Sequence, residues 1–121
     1  MTHWKKLEVK WVEHGEAPVT VYHLSGLLTN SPESYAFLDE LLDRVRKGHN
    51  RVVINLEQVG HITSAGVGIL AACYTSVTNA GGKVCLSRVP ERGRAILNVV
   101  GLLALVGECP TEEEAIRRVA A

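Results

Sequence analysis

The amino-acid sequence predicts an α/β fold: a single domain, 1–121, with a small mixed, mostly parallel β-sheet and about four helices. Apolar runs of strand length alternate along the chain with segments whose apolar residues recur at helical spacing. A strand, a helix and another strand follow one another within about 40 residues, which is typical of a right-handed βαβ unit with parallel strands. No linker, low-complexity stretch or internal repeat interrupts this order.

The first two strands are predicted to form a hairpin at one edge of the sheet. Residues 7–11 alternate apolar and polar side chains, as a strand with one wet face does. Residues 14–18 contain glycine and proline and indicate a turn, and residues 19–24 are rich in β-branched and aromatic residues. The second segment is therefore expected to pair back on the first.

A first helix and a central strand are predicted next. Ser31 is a good N-cap, Pro32 suits the first helical position, and Gly48 ends the helical pattern. The inward residues of this helix are Phe37, Leu38, Leu41, Leu42 and Val45. The nearly continuous apolar run 52–56 then indicates a strand that is covered on both faces.

A second helix and a parallel strand follow the central strand. The helix is predicted over 65–79 and ends at 80–82, where glycine can adopt a left-handed conformation, and the strand covers 83–87. The inward residues of the helix are Ile69, Leu70, Cys73 and Val77.

The last third of the chain predicts two more helices and one more strand. A helix over 90–100 places Ile96, Leu97 and Val100 inward, and the short apolar segment 103–106 suggests the last strand. A capping box at 111–114 opens a final helix with Ile116 and Val119 inward.

Composition excludes several functional classes. The 13 basic and 13 acidic residues cancel, so nothing favours binding to nucleic acid or to an acidic membrane. The apolar stretches are shorter than the roughly 20 residues of a membrane span, and no signal peptide is recognisable, so we expect a cytoplasmic protein. Three widely spaced cysteines without a Cys-x-x-Cys pair indicate reduced thiols used in packing, with no metal and no cofactor.

The most informative segment is 60–68, Gly-His-Ile-Thr-Ser-Ala-Gly-Val-Gly, at the junction of the central strand and the second helix. A helix start presents unpaired backbone N–H groups and the positive end of a dipole, so it accepts an anion, including a phosphate on Thr63 or Ser64. The alternative is that these hydroxyls are ordinary N-caps, which stabilise a helix by about 1 kcal/mol.

Enzymatic interpretations of this segment are weak. The pair Gly66 and Gly68 lacks the spacing of a dinucleotide or P-loop motif and is expected to let the helix start pack closely. Ser64 with His61 could suggest a nucleophile and a base, but no orienting acid lies nearby and Gly-x-Ser-x-Gly is absent. We therefore expect a binding protein and not an enzyme.

Five segments, in this order and spacing, resemble the STAS domain, which bacterial anti-sigma factor antagonists share with the cytoplasmic tails of sulfate transporters. They are 24–29 (Leu-Ser-Gly-Leu-Leu-Thr), 52–56 (Val-Val-Ile-Asn-Leu), 62–68 (Ile-Thr-Ser-Ala-Gly-Val-Gly), 81–84 (Gly-Gly-Lys-Val) and 99–102 (Val-Val-Gly-Leu). The resemblance spans nearly the whole chain and implies a small mixed sheet with helices on one side.

The resemblance also implies a switch and shows where this chain departs from it. In the family's regulators, the serine directly before the glycine of Asp-Ser-Ser-Gly is phosphorylated by the partner, an anti-sigma factor that is itself a serine kinase. Here Thr63 replaces the aspartate, Ser64 matches the first serine and Ala65 occupies the usual acceptor position. Thr29 likewise replaces an acidic residue near the acceptor. Ser64 is therefore the phosphorylation candidate, with Thr63 less favoured.

The resemblance implies an anti-sigma factor antagonist that binds an anti-sigma factor with a serine-kinase-like fold and releases a sigma factor. We expect the partner-binding residues to gather at one end of the sheet: Thr29, Asn30, Ser31, His61, Thr63, Ser64 and Gly66. Two alternatives stay open. One is a phosphorylation-independent structural subunit of a signalling scaffold or membrane transporter complex, and the other is a module that binds a nucleotide or another small anion at the helix start.

Overall fold

The computed structural model describes residues 5–16 and 18–121, and in that part of the chain the elements follow the predicted order except at residues 103–106. The elements are β1 (Glu8–His14), β2 (Val19–Leu28), α1 (Pro32–Arg46), β3 (Arg51–Ile62), α2 (Ser64–Asn79), β4 (Lys83–Ser87), α3 (Glu91–Val99), α4 (Leu102–Val106), β5 (Glu108–Cys109) and α5 (Glu112–Ala120).

The five strands form one mixed sheet in the order β1-β2-β3-β4-β5. β1 pairs with β2 antiparallel, and the other three neighbouring pairs are parallel. The edge hairpin and the βαβ unit formed by β3, α2 and β4 are thus confirmed. The predicted turn at 14–18 includes Ala17, which lies outside the described residues.

β2 and β3 extend beyond the predicted strands and end side by side. β2 continues to Leu28 and β3 to Ile62, and these two residues are paired in the parallel register. Sequence reasoning ended the strands at 24 and 56, where polar residues interrupt the apolar runs, but backbone pairing continues past them with register shifts. Both α1 and α2 consequently begin at the same end of the sheet, beyond the carboxyl ends of β2 and β3.

The main core lies between the sheet and helices α1 to α4. The residues predicted to face inward on α2 are all buried in it, as are Phe37, Leu41 and Val45 of α1. Leu38 packs against this core, and Leu42 is half-buried. From the sheet it receives Tyr22, Leu24, Leu28, Val52, Ile54, Leu56, Val59, Ile62 and Leu86.

The opposite face of the sheet has its own cover, which corrects the expectation of helices on one side. Residues that alternate with the main-core residues point the other way and form a second cluster with α5: Val19, Val21, Val53, Cys85, Cys109, Ala115 and Val119. Because the central strands are apolar on both faces, an uncovered second face would expose apolar surface to water. α5 removes that surface from solvent.

The segment 103–106 is helical, so the prediction of a strand there is wrong, and the described residues form five helices instead of about four. α4 lies between two glycines in the positive-φ region, Gly101 (φ 74°) and Gly107 (φ 89°). Leu102, Leu103 and Val106 recur at helical spacing and are buried. The last strand is the two-residue β5 that follows. Val100, predicted to point inward, follows the end of α3 and is 57% exposed.

Candidate functional site

The start of α2 is attached directly to the end of β2. The backbone N–H of Thr63 donates to the carbonyl oxygen of Leu28 at 3.1 Å. Since Leu28 also pairs with Ile62, the two segments that follow the strands, beginning at Thr29 and Thr63, lie next to each other. The segments that carry the predicted site residues thus lie together at one end of the sheet, and their role in binding a partner stays a prediction.

Thr63 is the N-cap of α2. Its backbone is extended (φ −93°, ψ 176°), and its Oγ1 accepts a hydrogen bond from the backbone N–H of Gly66 at 3.3 Å. The residue is half-buried. Its hydroxyl therefore satisfies one of the helix's otherwise unpaired donors, and the capping interpretation is correct for this residue.

Ser64 is the first residue of α2, and it differs from Thr63 in its exposure and in its hydrogen bonding. It is exposed, and within the described residues its hydroxyl makes no hydrogen bond. The first turn of α2 contains no acidic residue. Of the two adjacent hydroxyls, only that of Ser64 is free to meet a ligand, a partner or a modifying enzyme.

Gly66 brings α2 close to β2. A Cβ atom at this position would be much closer to the Leu28 carbonyl oxygen than van der Waals contact allows, whereas a Cβ at Gly68 would have no neighbour within 4 Å. The predicted role of a close approach therefore holds for Gly66 and not for Gly68. Gly66 is itself buried, so it contributes to this site by positioning Thr63 and Ser64.

The start of α1 is held together by two serine hydroxyls. Ser31 Oγ accepts from the N–H of Ser34 at 3.1 Å and lies 2.9 Å from Ser34 Oγ, which in turn accepts from the N–H of Thr29 at 3.1 Å. Ser34 is fully buried. Sequence reasoning missed it, although the spacing Ser-x-x-Ser around Pro32 was a signal that a second hydroxyl lies at the cap.

The remaining predicted residues differ in accessibility. Asn30 and His61 are exposed, whereas Thr29 and Ser31 are half-buried. His61 pairs with Leu27 within the sheet, and the adjacent Ile62 is buried in the main core. The accessible side chains at this edge are therefore those of Asn30, His61 and Ser64, which we call the α2-start surface.

A cleft of about 410 Å³ opens beside the ends of β4 and β5, and sequence reasoning missed it. Arg94 donates to both carboxylate oxygens of Glu108 at 2.7 and 2.6 Å, and this pairing holds the pKa of Glu108 below its usual range. Arg88, whose φ of 55° is unusual for a side-chain-bearing residue, forms an ion pair with Glu57. The cleft is lined by Glu57, Arg88, Val89, Pro90, Arg94, Glu108, Cys109 and Pro110.

The family of the chain follows from its sequence as a whole. The family model described as "STAS domain" matches residues 10–115. The chain belongs to the STAS domain family. No curated protein sequence matches it significantly.

Solved structures share the fold of this STAS domain. A protein described as an anti-sigma factor antagonist from Thermotoga maritima has 23% sequence identity and a TM-score of 0.76, with 95% of each chain covered. The anti-sigma factor antagonist SpoIIAA of Bacillus, in its unphosphorylated form, has 19% identity and a TM-score of 0.70, covering 94% of this chain and 99% of that one. A sulfate transporter family protein from Wolinella succinogenes has 20% identity and a TM-score of 0.66, with 83% of each chain covered.

Two further observations on this STAS domain concern metal binding and membrane crossing. Within the described ranges, no group of three or more His, Cys, Asp or Glu side chains is arranged to hold a metal ion. None of the helices in those ranges combines the length and apolar character that a membrane crossing requires.

Proposed function

We propose that this STAS domain is an anti-sigma factor antagonist, which binds an anti-sigma factor of serine-kinase-like fold through the α2-start surface and thereby frees a sigma factor. The observation that carries the proposal is the exposed Ser64 hydroxyl, which has no hydrogen bond among the described residues. Family membership and the similarity in fold to anti-sigma factor antagonists support it. The domain acts by occupying its partner and not by catalysis.

The chemistry of the surface suits reversible docking. Asn30, His61 and Ser64 present an amide, an imidazole and a hydroxyl, all of which form hydrogen bonds without bringing a fixed charge. Behind them, the backbone is held by the Thr63 cap and by the close approach of Gly66 to β2. A partner would thus meet a rigid surface, which reduces the entropy lost on binding.

Phosphorylation of Ser64 would act as the release step. A phosphate adds about −1.5 to −2 charge. At a helix start this charge interacts favourably with the dipole, by about 0.3–1 kcal/mol. The fold would therefore tolerate the modification, while a partner contact made to a neutral hydroxyl would be lost.

Affinity measurements test the docking step. The purified domain is titrated with the kinase-like anti-sigma factors of the same genome, and the partner is the one that binds. Ser64→Glu should then weaken binding by roughly 100-fold, as expected when a charge is buried against a neutral contact. The matched control is Asn79→Asp, which adds a charge at the exposed far end of α2 and should leave the affinity unchanged. Equal affinity of Ser64→Glu and the unsubstituted domain would refute the docking site.

A phosphorylation assay tests the switch separately. The domain is incubated with its binding partner and ATP, and phosphate is mapped by mass spectrometry. Phosphate on Ser64 that disappears in Ser64→Ala supports the switch. Ala65→Ser restores a hydroxyl at the position where the family's acceptor stands. If only this variant is modified, the partner docks as proposed but the switch at Ser64 is wrong.

A second candidate function is a fixed subunit of a signalling scaffold or transporter complex. Two features favour it: Ala65 cannot accept phosphate, and a sulfate transporter family protein is among the proteins of similar fold. Stable co-purification with scaffold or transporter subunits that ATP does not change would select this function over the antagonist.

A further inference from the structure

Two of the three cysteines lie in contact, on neighbouring parallel strands. The Sγ atoms of Cys85 on β4 and Cys109 on β5 are 3.5 Å apart. The two residues belong to the small core beneath α5, whereas Cys73 is buried in the main core on the other face of the sheet. A disulfide bond requires about 2.05 Å, so the two sulfurs are about 1.5 Å from bonding distance.

The guanidinium group of Arg118 lies against this pair of cysteines. Nη1 of Arg118 is 3.8 Å from the Sγ of Cys109 and also donates to the carbonyl oxygen of Glu108 at 3.4 Å. Gly107 leaves the space for this guanidinium, since a Cβ atom there would lie 2.8 Å from Arg118 Nη2. Positive charge beside a thiol favours the thiolate, which is the form that reacts with oxidants.

The two sulfurs differ in access and environment. Cys109 lines the cleft that holds the Arg94–Glu108 ion pair, and it is 7% exposed. Cys85 is 1% exposed, and burial raises its pKa to about 12. Of the two residues, Cys109 is therefore the more accessible to a small oxidant that enters the cleft of about 410 Å³.

We propose that Cys85 and Cys109 form a redox-active dithiol, which hydroperoxides convert to an intramolecular disulfide. The Cys109 thiolate attacks one peroxide oxygen, and the O–O bond breaks to give a sulfenic acid on Cys109 and hydroxide or alkoxide, which takes up a proton. The Cys85 sulfur then attacks the Cys109 sulfur. The S–O bond breaks, and the departing oxygen leaves as water with the thiol proton of Cys85. The two thiols are oxidised and the peroxide is reduced.

The position of β5 allows the Cys85–Cys109 disulfide to form and links its formation to the neighbouring cleft. Cys109 is in register with Ser87, two residues beyond Cys85, so the disulfide would run diagonally between the strands. β5 has two residues, lies at the sheet edge and is preceded by Gly107 (φ 89°), so it can shift toward β4 with little loss of pairing. Glu108 moves with it, so oxidation would alter the Arg94–Glu108 pair inside the cleft.

Peptide mapping tests the proposal on the full chain. The reduced protein is treated with hydrogen peroxide, its remaining thiols are alkylated under denaturing conditions, and it is digested without reductant. We expect a Cys85–Cys109 cross-linked peptide that dithiothreitol reverses, with Cys73 recovered as the alkylated thiol. Cross-links that involve Cys73, or oxidation of Cys109 to sulfinic acid with no cross-link to Cys85, would overturn the proposal.

Three variants sharpen the test, with circular dichroism to check folding. Cys85→Ala should accumulate a Cys109 sulfenic acid that dimedone traps, because the resolving thiol is gone. Arg118→Met should slow disulfide formation by roughly three- to tenfold, because it removes the positive charge that lies against the Cys109 sulfur. Cys73→Ala is the matched control and should react at the rate of the unsubstituted protein. An unchanged rate in Arg118→Met would contradict the role assigned to this cation.

Discussion

Two helices begin side by side at the same edge of the sheet, and they use their hydroxyl groups differently. At the start of α1, Ser31 and Ser34 bond to each other and to the backbone, and Ser34 is fully buried. At the start of α2, Thr63 alone serves the helix, and Ser64 remains exposed. The two helix starts are thus similar in sequence but different in structure. The serine hydroxyls of α1 form internal hydrogen bonds, whereas the Ser64 hydroxyl of α2 is exposed and, within residues 5–16 and 18–121, unbonded.

The difference separates structural residues from candidate binding residues. A hydroxyl that caps a helix stabilises the fold, so its removal lowers the free energy of unfolding. A hydroxyl that bonds to nothing in the free protein contributes little to stability and is available for recognition. Substitutions at the two helix starts should therefore lower the free energy of unfolding by different amounts, more where a hydroxyl is bonded internally than where it is free.

Gly66→Ala should have the largest effect, because its methyl group would collide with the Leu28 carbonyl and push α2 away from β2. We expect a loss of about 2–3 kcal/mol in the free energy of unfolding, measured by urea denaturation. Gly68→Ala is the matched control in the same helix. It meets no neighbour within 4 Å and should be neutral or stabilising by up to about 1 kcal/mol. Equal effects would show that α2 does not approach β2 closely.

Ser34→Ala should follow, with a loss of about 1–2 kcal/mol, because it leaves the N–H of Thr29 without its acceptor and removes the hydrogen bond between the two serine hydroxyls. Denaturation of this variant tests whether the α1 start is closed by internal bonds. A loss below about 0.5 kcal/mol would mean that the two helix starts are equivalent.

Thr63→Ala should cost about 1 kcal/mol, because the N–H of Gly66 loses its acceptor. Thr63→Ser and Thr63→Asp should retain most of the stability, since both supply a capping oxygen. If these two variants were as unstable as Thr63→Ala, the methyl group of Thr63 and not its hydroxyl would be the stabilising part.

Arg94→Met provides a reference outside both helix starts, with an expected loss of stability at neutral pH that is smaller than that of Thr63→Ala, because the Arg94–Glu108 ion pair is partly exposed. Arg94 lowers the pKa of Glu108 in the folded protein, so the pair stabilises the fold above the unfolded-state pKa. This contribution is lost as the pH falls through the lowered folded-state pKa. The variant and the unsubstituted protein should therefore converge in acid, which denaturation at several pH values would reveal.

Ser64→Ala should have the smallest effect, a change within about 0.5 kcal/mol, because the Ser64 hydroxyl is exposed and unbonded in the described part of the chain. Thermal and urea denaturation both measure it. A loss as large as that of Thr63→Ala would mean that Ser64 shares the capping role and is not reserved for recognition.

Periodicity predicted most elements, including α3 and α5, but not the segment between them. A short apolar run such as 103–106 fits a strand or a helix equally well, and the positive φ values of Gly101 and Gly107 that decide for a helix are not visible in the sequence. The misplaced strand also hid the contact between Cys85 and Cys109. The apolar run 52–56, in contrast, correctly indicated a strand covered on both faces.

The position of the candidate site could be predicted from the sequence, but its hydrogen bonds and ion pairs could not. The order of strands and helices placed the hydroxyls of 29–31 and 63–64 at one edge of the sheet, as the structure confirms. Thr63 is the cap because its own backbone is extended, with φ −93° and ψ 176°. Serine is an equally good N-cap residue, so the sequence alone does not show whether Thr63 or Ser64 caps the helix. Ion pairs such as Arg94–Glu108 join distant parts of the chain, so no local pattern reveals them.

Amide hydrogen exchange of the domain, alone and bound to its anti-sigma factor, tests the central claim most directly. The first amides of α2, those of Ser64 and Ala65, precede the first intrahelical bond and should exchange fast in the free domain. Binding should slow them, together with Asn30 and His61, while α5 on the opposite face stays unchanged. Protection confined to α5, with the amides of Ser64 and Ala65 still exchanging fast, would contradict a partner surface at the start of α2.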